Sequence, residues 1–526
     1  MSTSRKIIIS GISLLLIGAA VFAVLKFLSG SSGAHLKVIP SDAAAVLKIN
    51  TTQLALKADI PSLMKLPAFS SPGSNGSPLG RMISDPMSTG LNPVADVYGF
   101  LAKNGQNTVS ALVFSVRDAG DLSTFIRSLS VTDVYSKEDD VWFADFNQQR
   151  CIAWTDDAGM IVSTDGGDIH AYCKKLLEEG EEQSIIRNKA FASFNDKTFD
   201  AGIWLDNHAL STMNTAASAL GMMGIGEGTG EVLLSFEDEG IKATYSSDGS
   251  YDKNRLLKSG GFSDKKTEVI APSDPVVMLG LVADIAALMK SLKSDNNMNG
   301  NITGMEDLLG INDADIQKLA TGEISVAFTG FRDISVYDPR VSAEVKKNIA
   351  QSKGAETAGD YALLVPMVYI DLGVTDDSLA NSVLDRTGMD RTGRFYAAPG
   401  INFIVYAGAK NGHLLITNDY YAEDSLVHTG TLNGKISPGW SSVTSSNSFF
   451  ALADLDQSHF SPQLDSALAD NFGAQELDFY FTVMKPFRDA SLCSTGKGST
   501  LTISVGPGSG NSLFRLLSYY GTLAGK

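Results

Sequence analysis

The sequence has few of the residues that build metal, redox and nucleophilic centres. Its 526 residues include three cysteines and six histidines. No CxxC pair and no HExxH occur, and no two histidines stand at metal-ligand spacing, so no zinc pattern is present. G-x-S-x-G is missing, as is any Cys-His nucleophile arrangement. Three cysteines (Cys151, Cys173, Cys493) cannot all pair within one chain. Cys151 and Cys173 meet only if the strand and helix that carry them pack together; otherwise they read as buried small hydrophobes. Basic residues are outnumbered, 42 against 59 acidic, and the net charge of −17 excludes nucleic acid as a partner, because phosphates demand a basic face. Proline is modest at 16 and glycine abundant at 50, the balance of a chain with many turns between short elements. With 44% hydrophobic and 19% charged residues the chain is globular, and its length calls for two to four domains.

Long apolar runs are also scarce. The one that stands out is "IIISGISLLLIGAAVFAVLKFL", Ile7 to Leu28, after Arg5 and Lys6. At about 1.5 Å per residue its 22 residues reach roughly 33 Å, against a bilayer core of about 30 Å. The basic residues before it favour a cytoplasmic N-terminus at 1–6, and Lys26 can snorkel to the far headgroups. The expectation is a single-pass anchor in a bacterial inner membrane, with the bulk of the chain in the periplasm. The alternative is cleavage near "VFA" at 21–23, leaving a soluble periplasmic protein. No cysteine follows the segment closely, which excludes a lipoprotein anchor.

Beyond a linker assigned to 29–37, the chain reads twice. "VIPSDAAAVLKINTTQL" at 38–54 gives a turn at Pro40-Ser41-Asp42, a strand, and a helix capped at Thr51 or Thr52. "VIAPSDPVVMLGLVADI" repeats those steps from residue 269. The later units follow in the same order. "ALVFSVRDAGDLSTFIRSL" (111–129) matches "MVYIDLGVTDDSLANSVL" (367–384), and the hairpin at 150–166 matches one at 402–419 that turns on Asn411-Gly412. "DAGIWLDNHALSTMNTAAS" (200–218) matches "SFFALADLDQSHFSPQL" (448–464). This predicts an α+β protein of two tandem related domains, 38–262 and 263–526, each a largely antiparallel sheet with helices on one face. Residues 67–93 and 331–361 read as a loop and a long exposed insertion. "TGEVLLSF" (229–236) resembles "TGEISVAF" (321–328), but the two sit at different points of their halves and mark no boundary.

"VIPSDAAAVLKINTTQLALKADI" after the export segment, "TGLNP" at 89–93 and a final helix like "NSLFRLLSYYG" resemble an uncharacterised family of Bacteroidota cell-envelope proteins, a domain of unknown function. Members often carry a lipoprotein cysteine, which this chain lacks. The resemblance implies an envelope address and no activity.

Candidate sites are weak. "SVGPGSGNSLF" (504–514) has the place of a phosphate loop without its Gly-Lys-Ser/Thr ending, and reads as a turn into a cap at Asn511 or Ser512. Asp206 and His208, matched by Asp454 and Asp456 with His459 nearby, are the candidates for acid–base catalysis; a strand-ending acid more simply caps the next helix. The acidic stretches 136–143, 294–301 and 311–317 do not meet the EF-hand order. No cofactor and no metal are expected. The expected partners are the cytoplasmic membrane, through 7–28, and, as a candidate, another envelope protein. The preferred reading is a non-enzymatic binding or scaffolding protein; the alternative is an envelope hydrolase or transferase with a carboxylate site between the halves.

Overall fold

The computed structural model describes residues 33–63, 86–129, 134–178, 180–213, 228–248, 275–294, 312–335, 362–392, 395–399, 404–419, 438–494 and 498–524, with short islands between them. The apolar stretch 7–28, most of the expected insertion at 331–361 and the second copy's opening turn at 269–274 lie outside the described residues; the first five residues of that insertion, 331–335, are instead the end of the strand Ala320–Ser335. Among these residues no helix is long and apolar enough to cross a membrane.

Two compact units form: Met1–Tyr251 with Val505–Lys526, and Asp252–Ser504. The division at 251/252 departs from the expected 262/263, and the last helix belongs to the first unit. The reason is packing: Leu513 and Leu517 of Ser512–Ala524 bury against Leu54, Ala58 and Leu63.

Unit 1 holds β1 (Ala45–Ile49), β2 (Val97–Asn104), β3 (Asn107–Ser115), β4 (Val134–Glu138), β5 (Val141–Asn147), β6 (Arg150–Trp154), β7 (Ala158–Thr164), β8 (Ala201–Asp206), β9 (Thr229–Phe236) and β10 (Gly240–Ser247). Their order across one antiparallel sheet is β4-β5-β6-β7-β3-β2-β1-β8-β9-β10. Unit 2 holds β11 (Val277–Val282), β12 (Ala320–Ser335), β13 (Ala362–Val374), β14 (Asp390–Thr392), β15 (Phe395–Pro399), β16 (Ile404–Lys410), β17 (His413–Thr417), β18 (Phe449–Asp454), β19 (Phe487–Ser494) and β20 (Gly498–Val505). Their order is β14-β15-β16-β17-β13-β12-β11-β18-β19-β20, the order of unit 1 strand for strand. The register agrees as well: Leu47 faces Gly99 and Ile203 in unit 1, and Leu279 faces Val326 and Ala451 in unit 2.

Side chains alternate across each strand, so each sheet has two faces. In unit 1 one face carries Val46, Phe100, Val113, Phe143, Met160 and Trp204, packed under Gly33–Val38, Ile169–Glu178 and Lys189–Asn195. Fully burying each large side chain there contributes about 1.5–3 kcal/mol. The other face carries Phe114, Ala144 and Ile152 under Leu122, Phe125 and Ile126 of the helix Ala119–Ser128. Helices therefore lie on both faces in unit 1, not on one as expected, because both sets of alternating positions are apolar near β3, β5 and β6. Two further expectations change. Gly33–Val38 is a 3-10 helix with His35 buried, so the fold begins inside the assigned linker. Asn50, not Thr51 or Thr52, caps Thr51–Ala58, its side chain accepting from the Gln53 amide, while Thr51 is buried. The Asn411-Gly412 hairpin has both residues at positive φ, 55° and 83°, as a tight I′ turn requires.

Candidate binding site

An antiparallel sheet that leaves one face to water normally keeps that face polar. Unit 1 does the reverse over its middle strands. Leu47, Gly99, Leu112 and Ile161 stand in one row across β1, β2, β3 and β7, with Ile203 beyond Leu47 on β8. Ile161 is 41% exposed and Ile203 38%, so no layer covers them. Gly99 has no side chain, which lowers the floor between Leu47 and Leu112. On one side the helix Ala119–Ser128 packs the neighbouring part of this face. On the other, Leu210 and Ala209 of Asn207–Ser211 pack with Ala45, Leu101 and Leu205. Between them lies a trough of about 550 Å³, lined by these aliphatics and Phe146. That volume is within the roughly 300–1,000 Å³ of small-molecule sites.

One end is polar. The adjacent row runs Leu101, Ser110, Ser163, Arg150, through β2, β3, β7 and β6. Arg150 lines the trough, is exposed, and has no ion-pair partner among the described residues. In a chain of net charge −17 an unpaired guanidinium beside an aliphatic channel is an attractive point for an anion. Unit 2 keeps part of the row but not the site. Leu279 is 45% exposed, yet Ile416 packs with Leu384 of the helix Asp377–Leu384, and Val405 holds the place of Arg150.

The carboxylates singled out in the sequence do other work. Asp206 caps Asn207–Ser211, its Oδ1 accepting from the Ala209 amide at 2.9 Å. His208 is exposed and its ring has no partner among the described residues. In unit 2, Asp454 Oδ1 accepts from the Asp456 amide at 2.9 Å, and its Oδ2 is 2.8 Å from His459 Nδ1. Asp456 accepts from the Ser458 amide and hydroxyl and pairs with Arg488. All four carboxylate oxygens of that pair are engaged locally; Asp206 and Asp454 are matched strand-end positions, but the cap of the following turn is Asp206 in unit 1 and Asp456 in unit 2. A cleft of about 420 Å³ beside Asp456 also holds Asp465, Asp478 and Lys485. No group of three metal-ligating side chains stands together among the described residues.

The glycine-rich stretch is a turn. Asn511 accepts from the Leu513 amide, the Ser512 hydroxyl donates to the Gly240 carbonyl, and Arg515 donates to the carbonyls of Gly506 and Asp238, filling the loop from within. The acidic stretch at 136–143 is a hairpin turn, with Asp139 at φ 51° bonded to Lys174. Asn312 and Asp315 form a capping box. The stretch 294–301 lies, beyond its first residue, outside the described residues.

One buried polar group escaped the sequence reading. His413 Nδ1 lies 2.8 Å from Asp371 Oδ2, with side chains 2% and 7% exposed. Ser325 stands across from Asp371 on β12, and both the Ser325 hydroxyl and Asp371 Oδ1 are buried without a partner. These are Ser, Asp and His on one face, but Asp371 lies on the strand between the other two, so the serine has no base. The only signal was a charged residue at an inward position of "MVYIDLGV".

The molecule thus belongs to the class of two-unit α+β proteins built by repeating one ten-stranded antiparallel sheet, with an aliphatic trough in the first unit. The chain belongs to the family described as "Domain of unknown function (DUF4836)", which it matches over residues 35–452. No curated protein matches it. Among solved structures it is similar to crystal form III of TP0453 at 11% identity, covering 44% of this chain and 90% of that one, with a TM-score of 0.27. Crystal form IV of TP0453 gives 10% identity, 40% and 79% coverage and a TM-score of 0.24. Scores this low carry no functional argument.

Proposed function

We propose that this is a non-enzymatic binding protein of the bacterial cell envelope, tethered by residues 7–28, whose first unit holds an amphiphile with an aliphatic chain and an anionic head. The apolar length and basic flank of 7–28 and the chain's resemblance to a family of envelope proteins support the address. The observation that carries the ligand is the joining of an aliphatic row, Leu47 to Ile161, to an unpaired Arg150 at the polar end. Six methylenes removed from water would contribute about 5 kcal/mol before the costs of binding. The anionic head would pair with Arg150 and take hydrogen bonds from Ser110 and Ser163.

The test is displacement of a fluorescent fatty acid from the full chain, held in amphipol, by palmitate and by its neutral alcohol. Palmitate is expected to compete saturably. Ile161→Asp should weaken it about tenfold or more, a loss of some 1.4 kcal/mol or greater. Arg150→Ala should weaken palmitate but not the alcohol. Absence of saturable binding, or binding indifferent to Ile161→Asp, would sink the reading.

A further inference from the structure

On the helix-packed face of unit 1, Cys151 and Cys173 come together from a strand and a helix. Their sulfurs are 3.8 Å apart, both residues are 0% exposed, and both are free thiols. Cys173 shares the inward stripe of Ile169–Glu178 with Ile169, Tyr172 and Leu176, and Cys151 is an inward residue of β6. Cys493 has no such neighbour and donates instead to the Thr500 carbonyl. In unit 2 the position of Cys151 is Tyr406, so the pair is a feature of unit 1 alone.

We propose that Cys151 and Cys173 are an oxidisable pair that closes into a disulfide by exchange with a disulfide-bearing oxidant, fastening the helix Ile169–Glu178 to β6. Reaching the bond length of about 2.05 Å requires the sulfurs to approach by roughly 1.8 Å, a matter of side-chain rotation and a small inward shift of the helix. In the exchange one cysteine sulfur attacks the oxidant's S–S bond, giving a mixed disulfide and one reduced thiol. The second cysteine then attacks the first cysteine's own sulfur in that mixed disulfide, forming the Cys151–Cys173 bond and expelling the oxidant's other half as a thiol. Two electrons and two protons pass from the chain to the oxidant, and nothing else is consumed.

Burial governs the rate, not the outcome. The neighbouring Cys151 thiol and then burial push the Cys173 thiol well above its ordinary range, so in the closed fold the Cys173 sulfur is not a ready nucleophile, and both sulfurs are closed to solvent. Exchange proceeds while the chain folds or when the helix opens, and the finished bond is then shielded from reductant. Arg150 and Ile152 flank Cys151 on the opposite face, so the bond forms behind the trough and leaves it open.

The test uses the full chain refolded in reduced and oxidised glutathione, then alkylated under denaturing conditions and weighed intact. One alkylated thiol is expected, with a digest peptide pair joining Cys151 to Cys173, against three in the reduced chain. Cys493→Ser, a change in the other unit, should give none when oxidised and two when reduced. Cys151→Ala should keep two alkylatable thiols under the same oxidant. Three alkylated thiols in the refolded wild type, or a bond that includes Cys493, would overturn the proposal. A folded chain already carrying the bond should resist reductant until denaturant is added, and reduction should then lower the melting temperature of refolded wild type but not of Cys151→Ala.

Discussion

Val113 in unit 1 and Asp371 in unit 2 occupy the same place in the same strand of the same sheet, and their neighbours differ in kind. The residue directly across is Tyr98 in unit 1 and Ser325 in unit 2, and the diagonal neighbour, two places along the other adjoining strand, is Ala158 in unit 1 and His413 in unit 2. A second matched pair differs in shape. Lys48 faces Gly202 in unit 1, while Gly280 faces Phe450 in unit 2, so each pair combines one large and one minimal residue in opposite order. Both units nevertheless keep ten strands in one order and one register. Backbone hydrogen bonds set that order and do not depend on which side chain fills a slot, provided that the slot is filled and its polar atoms are satisfied. The shared strand order and register thus fix the frame. They leave one copy free to carry an aliphatic trough and the other a buried acid–imidazole pair.

The largest effect should come from breaking the polar copy. Asp371→Ala strips a buried His413 of its partner, a change expected to cost about 3 kcal/mol, read as a lowered denaturation midpoint of unit 2. The triple change Ser325→Tyr, Asp371→Val, His413→Ala copies unit 1, and removing all the polar atoms together should recover most of that loss. If the triple variant is as damaged as the single one, the matched positions are not equivalent environments.

Shape comes next. A Cβ on Gly280 would stand 2.2 Å from the Phe450 ring, whereas one on Gly202 would stand 2.7 Å from Phe199. Gly280→Ala is expected to cost about 1–3 kcal/mol and Gly202→Ala less, by denaturant titration. Phe450→Leu should relieve the first substitution and leave the second unchanged. Equal costs would mean that the wider clearance at Gly202, whose Cβ would meet Phe199 and not its paired Lys48, does not ease that position.

Much of this frame was legible in the residues. The first Pro-Ser-Asp turn, the Asn-Gly hairpin and the strand-ending Asp206 and Asp454 are local signals, because turns and caps need particular residues at particular places. The trough was not legible. Leu47, Leu112 and Ile161 are far apart in sequence and share a row only after β1, β3 and β7 take their sheet order. Nor does alternation separate the two faces of a sheet when both are apolar. The same holds for His413 with Asp371, and for Cys151 with Cys173, whose meeting depended on packing of a helix on a strand. The last helix was misassigned for a related reason: order in the chain does not say which core Leu513 and Leu517 fill.

The trough comparison should be sharpened with little change in stability. Leu47→Asp in unit 1 and Leu279→Asp in unit 2 alter matched, partly exposed positions, so each should shift the folding free energy by less than about 1 kcal/mol. Only the first should abolish fatty-acid competition. Equal losses from both would assign the ligand to a surface that both units share, not to the site ending at Arg150.

The smallest effect expected is a pH dependence confined to unit 1. His170, on the helix that also carries Cys173, bonds Glu138 at 2.9 Å through Nδ1 and Asp145 at 2.8 Å through Nε2, and it stacks on Phe143 with centroids 4.0 Å apart. Partial burial opposes its charge, but the bonds to Asp145 and Glu138 outweigh it and hold its pKa above the ordinary 6.5. A raised folded value means that the imidazolium contributes its full stability below the unfolded value and loses it as pH rises through the folded one. The next turn of the helix does not confuse the reading. Lys174 and Asp139 are bonded to each other, which raises the lysine and lowers the aspartate, so both stay charged across that interval. Melting of wild type between pH 6 and 9 should therefore fall relative to His170→Gln, whose glutamine keeps hydrogen bonds and has no proton to lose. A fall of equal size in the variant would assign the pH dependence to groups other than this histidine.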